Sequence, residues 1–418
     1  MKLRLTGLAD IDPLSVPLPN GTEVSTRVDR EVGDYRVSQG AVGRVVGIKD
    51  GAIDVNIVGV GVVRYLREEL TPRKLGQMRF AQRRQHSWDA LAPCVILESV
   101  VGSRAWGLAN EDSDTDRRGF FALPFSWHSG LVEAPTDLIS ADASTTYWEI
   151  GKGLRQAIAA DPNTLEVLFV DDVEVRDPMG QWLLDARDAF VSAEIYGSFG
   201  RYALSQLKRL AQNKRLAEHR HLILSWLVAN PTATLDEVAV RLAGESGIAA
   251  PSARDAELRA KDYIKQLYRS MYDQGLLATR EFTALIAYAQ REASEGKLET
   301  PRELRPKNAY NLIRLIDTAI HWLRTGEPAM RVRDHLRATL LDIKAGRIPL
   351  AEVLAMAESL TPELERARKE SKLPEQADVA RVDELLRRMR SELARRYVMA
   401  EAGPFGANAA PCPLARWQ

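Results

Sequence analysis

The sequence predicts an α+β protein in three main parts: a small SH3-like β-barrel over residues 1–72, a mixed α/β domain over 91–192, and a helical domain over 193–400. Three observations predict this. Between residues 17 and 70, turn signals recur around short valine-rich runs. A buried-strand pattern at 93–101 runs into a glycine-serine turn and an acidic cluster. Beyond residue 190, the apolar residues take up helical spacing.

Length and composition set the frame. The 418 residues, 45% hydrophobic and 27% charged, suffice for two or three domains and a sizeable core. Lysine plus arginine equals aspartate plus glutamate at 57 each, so any polyanionic partner must be met by local patches. The two cysteines, Cys94 and Cys412, imply no disulfide framework and point to a reducing cytoplasm. No apolar run reaches membrane-spanning length and the N-terminus has no secretory apolar stretch, so a soluble, cytoplasmic protein without a membrane partner is expected.

In the first part, Pro19-Asn20-Gly21, Gly33-Asp34, Gly40, Lys49-Asp50-Gly51 and Gly59 punctuate the chain. Asp50-Gly51 lies between the runs 42–48 and 53–58, a hairpin signal. Barrels of this size bind peptide or nucleic acid, or dock as spacers. Thr71-Pro72 then opens a basic helical connector, 73–90.

The central stretch carries the chemistry. The strand 93–101 ends at Gly102-Ser103, followed by Gly107 and by Asp112, Asp114 and Asp116. A glycine lets backbone approach a phosphate, and a following helix N-terminus with the Ser103 hydroxyl can cradle it. Asp114 and Asp116, two apart, lie on one side of an extended segment. Such carboxylates repel, and a hard divalent cation relieves the repulsion. A strand through Gly119–Leu123 follows, then an alternating strand over 139–148 with Asp142 at its head, then a helix over 149–160. Asp161-Pro162-Asn163 ends that helix and caps the next.

The C-terminal half opens with a basic helix. Residues 201–220 hold six Lys/Arg, among them Lys208, Arg209 and Lys214, against the single acid Glu218. Thr234 and Glu237 form a capping-box pattern within an auxiliary region, 232–270. Helices are expected over 278–296, 306–325, 332–345, 349–369 and 377–399, and a disordered tail over 401–418. Lys307 and Arg314, seven apart, share one helix face.

The order Gly102-Ser103, Gly107, Ser113-Asp114-x-Asp116 resembles the signature of the DNA polymerase β-like nucleotidyltransferase superfamily. Lys152 with Asp161-Pro162-Asn163-Thr-Leu-Glu166, Phe190-Val-Ser192 with Tyr202, Gln206 and Lys208, Lys307-x-Ala309 with Arg314, and Ser371-x-Leu373-Pro374 look like its RNA-repair-associated members. That resemblance runs from about Leu97 to Tyr397. It implies a polymerase β-like catalytic domain that moves a nucleoside monophosphate from an NTP to an acceptor with release of pyrophosphate; an RNA 3′ end, with tRNA among the candidates, is the expected acceptor. It implies two Mg²⁺ (or Mn²⁺) on Asp114, Asp116 and a third acid. Asp142 is the first choice for that acid, and Glu149 and Asp137 are the alternatives. Gly102, Ser103, Arg104, Lys152, Lys208, Lys307 and Arg314 would contact nucleotide phosphates or acceptor. Glu166 would contribute as an anchor near the site. Where relatives carry histidines this chain has Asn308 and Asn311, so no proton-transfer role carries over there. Two other readings remain: a nucleotidyltransferase acting on a protein or small molecule, and an RNA-binding relative without activity.

Overall fold

Asp50 and Gly51 both take positive φ, 52° and 76°, and join two paired strands, the two-residue hairpin that this dipeptide favours. The hairpin belongs to a β-rich segment of β1 (Glu23–Thr26), β2 (Arg30–Val32), β3 (Tyr35–Val37), β4 (Val42–Lys49), β5 (Ala52–Ile57), β6 (Gly61–Tyr65) and β7 (Leu70–Pro72). The computed structural model describes residues 14–406 except 34, 58–59, 112, 131–132, 246–250, 274–275, 278 and 296–305.

The expected barrel does not close. The sheet is open, in the order β6-β5-β4-β1-β7, with β2 and β3 forming a separate ribbon. Closure would require β6 to pair with β7. Instead β7 is a three-residue strand ending in Pro72, which has no N–H to donate, and it pairs with β1. The gap is bridged by a side chain. The Arg30 guanidinium donates to the Arg64 carbonyl of β6 and to both carboxylate oxygens of Glu69, at 2.8 Å each, in the turn before β7. Val24, Val45, Val55, Val63, Tyr65 and Leu70 pack on the inner face.

Helix α1 (Leu75–Leu91) leads into a second sheet. Its elements are β8 (Val95–Val101), β9 (Asp116–Phe121), α2 (Phe125–His128), β10 (Asp137–Ile139), β11 (Thr145–Glu149), α3 (Ile150–Ile158), α4 (Pro162–Phe169), β12 (Val173–Val175) and α5 (Pro178–Asp185). The strand order is β10-β11-β9-β8-β12; β8 and β9 run antiparallel, β9 and β11 parallel. The single strand expected over 139–148 is instead the hairpin β10–β11, turning at residues 140–144 with Ala143 in the left-handed region at φ 63°. Asp142 drives that turn: its Oδ1 accepts from the Ser140 hydroxyl at 2.5 Å and from the Ser144 hydroxyl and N–H at 2.9 and 3.1 Å.

Strand alternation assigns the two faces. Asp116, Arg118 and Phe120 share one, which α3 and α4 cover. A Cβ on Gly153 of α3 would lie 2.2 Å from the Phe120 ring, and Arg118 reaches Asn163 of α4 at 2.6 Å. Glu98, Arg117 and Tyr147 share the other, where Trp88 of α1 stacks on Tyr147 with centroids 5.6 Å apart. Glu98 is buried there but fully partnered, by Arg117 at 2.6 Å, Arg176 at 3.0 Å and the Tyr147 hydroxyl. A buried carboxylate is tolerated on that condition.

The β-rich segment and the second sheet belong to one unit, Met1–Ala203 with Ile313–Asp342 and Met356–Gln418. Asn20 ties them together: its N–H donates to the Ala141 carbonyl at 3.2 Å and its side-chain amide to the Asp142 carbonyl at 2.8 Å. Arg84 of α1 holds the same turn, donating to the Ile139 carbonyl at 2.9 Å and to that of Ser140.

The remaining helices are α6 (Tyr202–Ala229), α7 (Leu235–Glu245), α8 (Ala253–Asp273), α9 (Phe282–Glu295), α10 (Pro306–Thr325), α11 (Asp334–Lys344), α12 (Leu350–Glu370) and α13 (Val379–Val398). A second unit, Leu204–Leu312 with Ile343–Ala355, has its own core of Ile223, Leu227, Leu242, Ile264, Met271 and Leu285. The Thr234–Glu237 capping box forms in it, with Glu237 Oε2 accepting from the Thr234 N–H at 2.8 Å and the Thr234 hydroxyl from the Glu237 N–H at 3.3 Å. In the first unit, Trp322 of α10 meets Phe169 edge-on at 5.4 Å. The expected disordered tail begins too early: Phe405 is buried beside Arg396, and only 407–418 fall outside the described residues. Among the described residues no helix is long and apolar enough to cross a membrane.

Candidate active site

The site is built at the open end of the β8–β9 pair, where Val101 lies opposite Asp116. β8 is buried along nearly all its length, which fixes its register and so the point where the chain turns. Gly102 turns there with φ 72°, a conformation suited to glycine. A Cβ at this residue would stand 3.1 Å from Asp116 Oδ2, so the bare glycine is what leaves room for that carboxylate over the turn.

Residues 103–107 form a compact turn. The Trp106 N–H donates to the Gly102 carbonyl at 3.0 Å and the Leu108 N–H to the Ser103 carbonyl at 2.8 Å. Arg104 closes the loop toward the acids, donating to the Ser113 carbonyl at 2.6 Å, one residue before Asp114. Asp114 is exposed and Asp116 half-buried as the first residue of β9. Asp112 lies outside the described residues.

Glu166 is the anchor beneath the turn. Only 4% exposed, it accepts from the Gly102 N–H at 2.6 Å through Oε1, and Arg118 lies 3.6 Å from its Oε2. Asp161 starts the helix that carries it, accepting from the Asn163 and Thr164 N–H groups at 3.0 and 3.1 Å, with Pro162 in the first turn. The Gly102 amide, expected to hold phosphate, is thus already satisfied by Glu166.

None of the three expected third acids joins the pair. Among the described residues no three of His, Cys, Asp and Glu come together as a metal site, so Asp114, Asp116 and Asp142 form no trio. The reasons are local. Asp142 caps its own turn; burial raises its pKa, but the Ser140 and Ser144 hydrogen bonds outweigh that and hold the carboxyl below its usual range. Asp137 pairs with Lys152, whose Nζ sits 2.5 and 2.7 Å from its two oxygens. Glu149 caps α3, accepting from the Lys152 N–H at 3.0 Å. Its register partner is Phe121, five residues along β9 from Asp116 and about 16 Å away at strand rise. Beside the start of β9 the chain has Ser144, whose carbonyl accepts from the Arg117 N–H at 2.9 Å.

The other expected phosphate contacts divide. Lys152 is committed to Asp137. Arg314 is 5% exposed, its guanidinium stacked 3.6 Å over the centroid of Trp106, so it braces the turn from within. Lys208 and Lys307 lie in α6 and α10, in the stretches whose side chains fall outside the described residues. Residues that sequence reasoning missed come from residues 329–337. The Val332 N–H donates to the Trp106 carbonyl at 3.1 Å, Arg337 Nε donates to the Gly107 carbonyl at 3.0 Å, and Arg331 Nε would lie 3.6 Å from a Cβ on Gly107.

The site's residues fit divalent cations. Asp114 and Asp116 supply hard oxygens beside a turn kept clear by Gly102, and Mg²⁺ takes one or two carboxylates together with substrate phosphates.

A strand and a glycine-serine turn thus lead to an Asp-x-Asp pair whose second acid opens the next antiparallel strand. Over residues 73–225 the chain matches the RNA repair pathway DNA polymerase beta family. No curated protein and no solved structure matches the chain.

Proposed function

We propose that this protein is a nucleotidyltransferase that moves a nucleoside monophosphate from an NTP to the 3′ end of an RNA, releasing pyrophosphate. The observation that carries the reading is the Asp116 carboxylate held over the Gly102 turn, with Asp114 two residues before it. The family's link to RNA repair favours RNA, including tRNA, as acceptor. In this reading Asp114 and Asp116 would hold two Mg²⁺ (or Mn²⁺) ions. When bound, the metal neutralises charge on the phosphates and favours deprotonation of the attacking hydroxyl. Ser103 and Arg104 orient the triphosphate; Glu166 fixes the turn through the Gly102 amide.

One observation favours a second reading. With Ser144 beside the start of β9, no carboxylate among the described residues stands there to help activate the attacking hydroxyl. A slow enzyme, or an RNA-binding relative without activity, would have such a site.

The test is incubation of the purified protein with labelled NTPs, Mg²⁺ and total RNA. Label on RNA supports the first reading. Label on protein moves the acceptor to a polypeptide, and RNA retention without label supports the second reading.

A further inference from the structure

Two arginines from far along the chain meet at one residue of the glycine-serine turn. Arg337 Nε donates to the Gly107 carbonyl at 3.0 Å, and Arg331 packs where a Gly107 Cβ would be, at 3.6 Å. Both side chains are exposed. Arg104, also exposed, belongs to the same turn and donates to the Ser113 carbonyl. Arginines elsewhere in this unit are often paired: Arg333 with Asp317, Arg324 with Glu363, Arg117 with Glu98. Among the described residues no carboxylate pairs with Arg104, Arg331 or Arg337. Three like charges gathered on one short turn repel each other unless an anion joins them.

We propose that Arg331 and Arg337, with Arg104, form a polyphosphate-binding rim on the turn, taking the triphosphate tail of the incoming nucleotide. This rests on the nucleotidyltransferase reading. Two divalent cations on two aspartates offset only part of a bound triphosphate's charge, so the rest must be met by protein cations. The Gly102 amide is committed to Glu166 and Lys152 to Asp137, so neither supplies that charge. Guanidinium groups bind phosphate through paired N–H donors. Arg337 uses Nε to hold the turn, which leaves its terminal nitrogens for the ligand.

The experiment measures binding of inorganic tripolyphosphate, of each NTP and of the matching NMP to the full chain with Mg²⁺, for wild type and for Arg331→Gln with Arg337→Gln. The double variant should lose tenfold or more in tripolyphosphate and NTP affinity and leave NMP affinity within twofold. Arg331→Gln alone, which removes no backbone contact, should show part of the loss at an unchanged melting temperature. Arginine-to-lysine variants should recover part of it. Unchanged tripolyphosphate affinity in a folded double variant overturns the rim, and so does loss of RNA retention with tripolyphosphate binding intact. If wild type binds tripolyphosphate through these arginines but no NTP, the rim stands and the nucleotidyltransferase reading falls. If it binds NTPs and the variants do so equally, the reading stands and the rim falls. If it binds neither, both fall.

Discussion

The N–H of Gly102 donates to Glu166 Oε1 at 2.6 Å, so a buried carboxylate from α4 fixes the turn on which the site is built. The bond fixes the geometry of the turn without touching substrate. Glu166→Ala orphans a backbone donor and removes a carboxylate from beside Arg118, which should destabilise the fold by about 1–3 kcal/mol. Glu166→Gln keeps an acceptor for Gly102 and should cost less. Chemical denaturation of both variants decides this; equal stabilities would show that the bond does not hold the turn.

The acids that face outward should behave in the opposite way. Asp114→Asn with Asp116→Asn removes two carboxylates with no ion-pair partner among the described residues, so the melting temperature should hold or rise. Transfer should fall by at least about 100-fold, the scale on which single electrostatic groups act in catalysis. Activity that survives in the double variant would remove the Asp-x-Asp pair from the mechanism.

Gly102→Ala sets two effects against the site at once. A side chain at φ 72° is strained by about 1–2 kcal/mol, and its Cβ would press on Asp116 Oδ2 at 3.1 Å. The expected outcome is a modest loss of stability and a much larger loss of Mg²⁺-dependent transfer. A variant with normal activity and a lowered melting temperature would show that Asp116 has room to move.

The turn at 140–144 should be sensitive to acid. The hydrogen bonds to Asp142 depress its folded pKa, so its contribution to stability is present above the unfolded carboxylate value, about 3.9, and is lost as pH falls through the lower folded value. Asp142→Asn should therefore lower stability at neutral pH and match wild type at the acid end. Urea titrations of both proteins across that range provide the comparison, and a constant gap between the curves would contradict it.

Arg84 joins the same turn to α1. Arg84→Met keeps the bulk and removes donors to the Ile139 and Ser140 carbonyls, for an expected loss of about 2 kcal/mol. Asn20→Ala, which frees only the Asp142 carbonyl, should cost less. Deleting residues 1–85 would remove both ties at once, so a loss of activity in that truncation would not by itself mark the β-rich segment as an RNA surface.

Local signals were readable in the sequence. Asp50-Gly51 gave its hairpin, Thr234 and Glu237 their capping box, and the Asp161-Pro162 pair its helix start, because each depends on neighbours a few residues away. The strand–turn–strand of the site was readable for the same reason: Val101 and Asp116 are close in the chain and pair across one connection. The 139–148 stretch misled because Ser140, Asp142 and Ser144 alternate as a strand would, while their side chains make a better turn. Asp142, expected at the head of a strand, therefore caps a turn instead. Glu98 and its partners, and Arg331 and Arg337 on Gly107, could not be read locally. The contact between Arg337 and Gly107 spans 230 residues and arises only when tertiary packing brings segment 329–337 to the turn.

Arg30, which spans the open seam of the first sheet, has a consequence outside the fold. The rim strand of an open sheet offers carbonyls to which a strand of another molecule can zip, the beginning of aggregation. Arg30 occupies the Arg64 carbonyl on that rim and draws Glu69 to the same place, leaving a charged plug where a stranger's backbone would have to lie. A chain that leaves its β-rich segment unclosed thereby stays a poor template for its own copies in a crowded cell, and Arg30→Ala is the change that would unlock that edge.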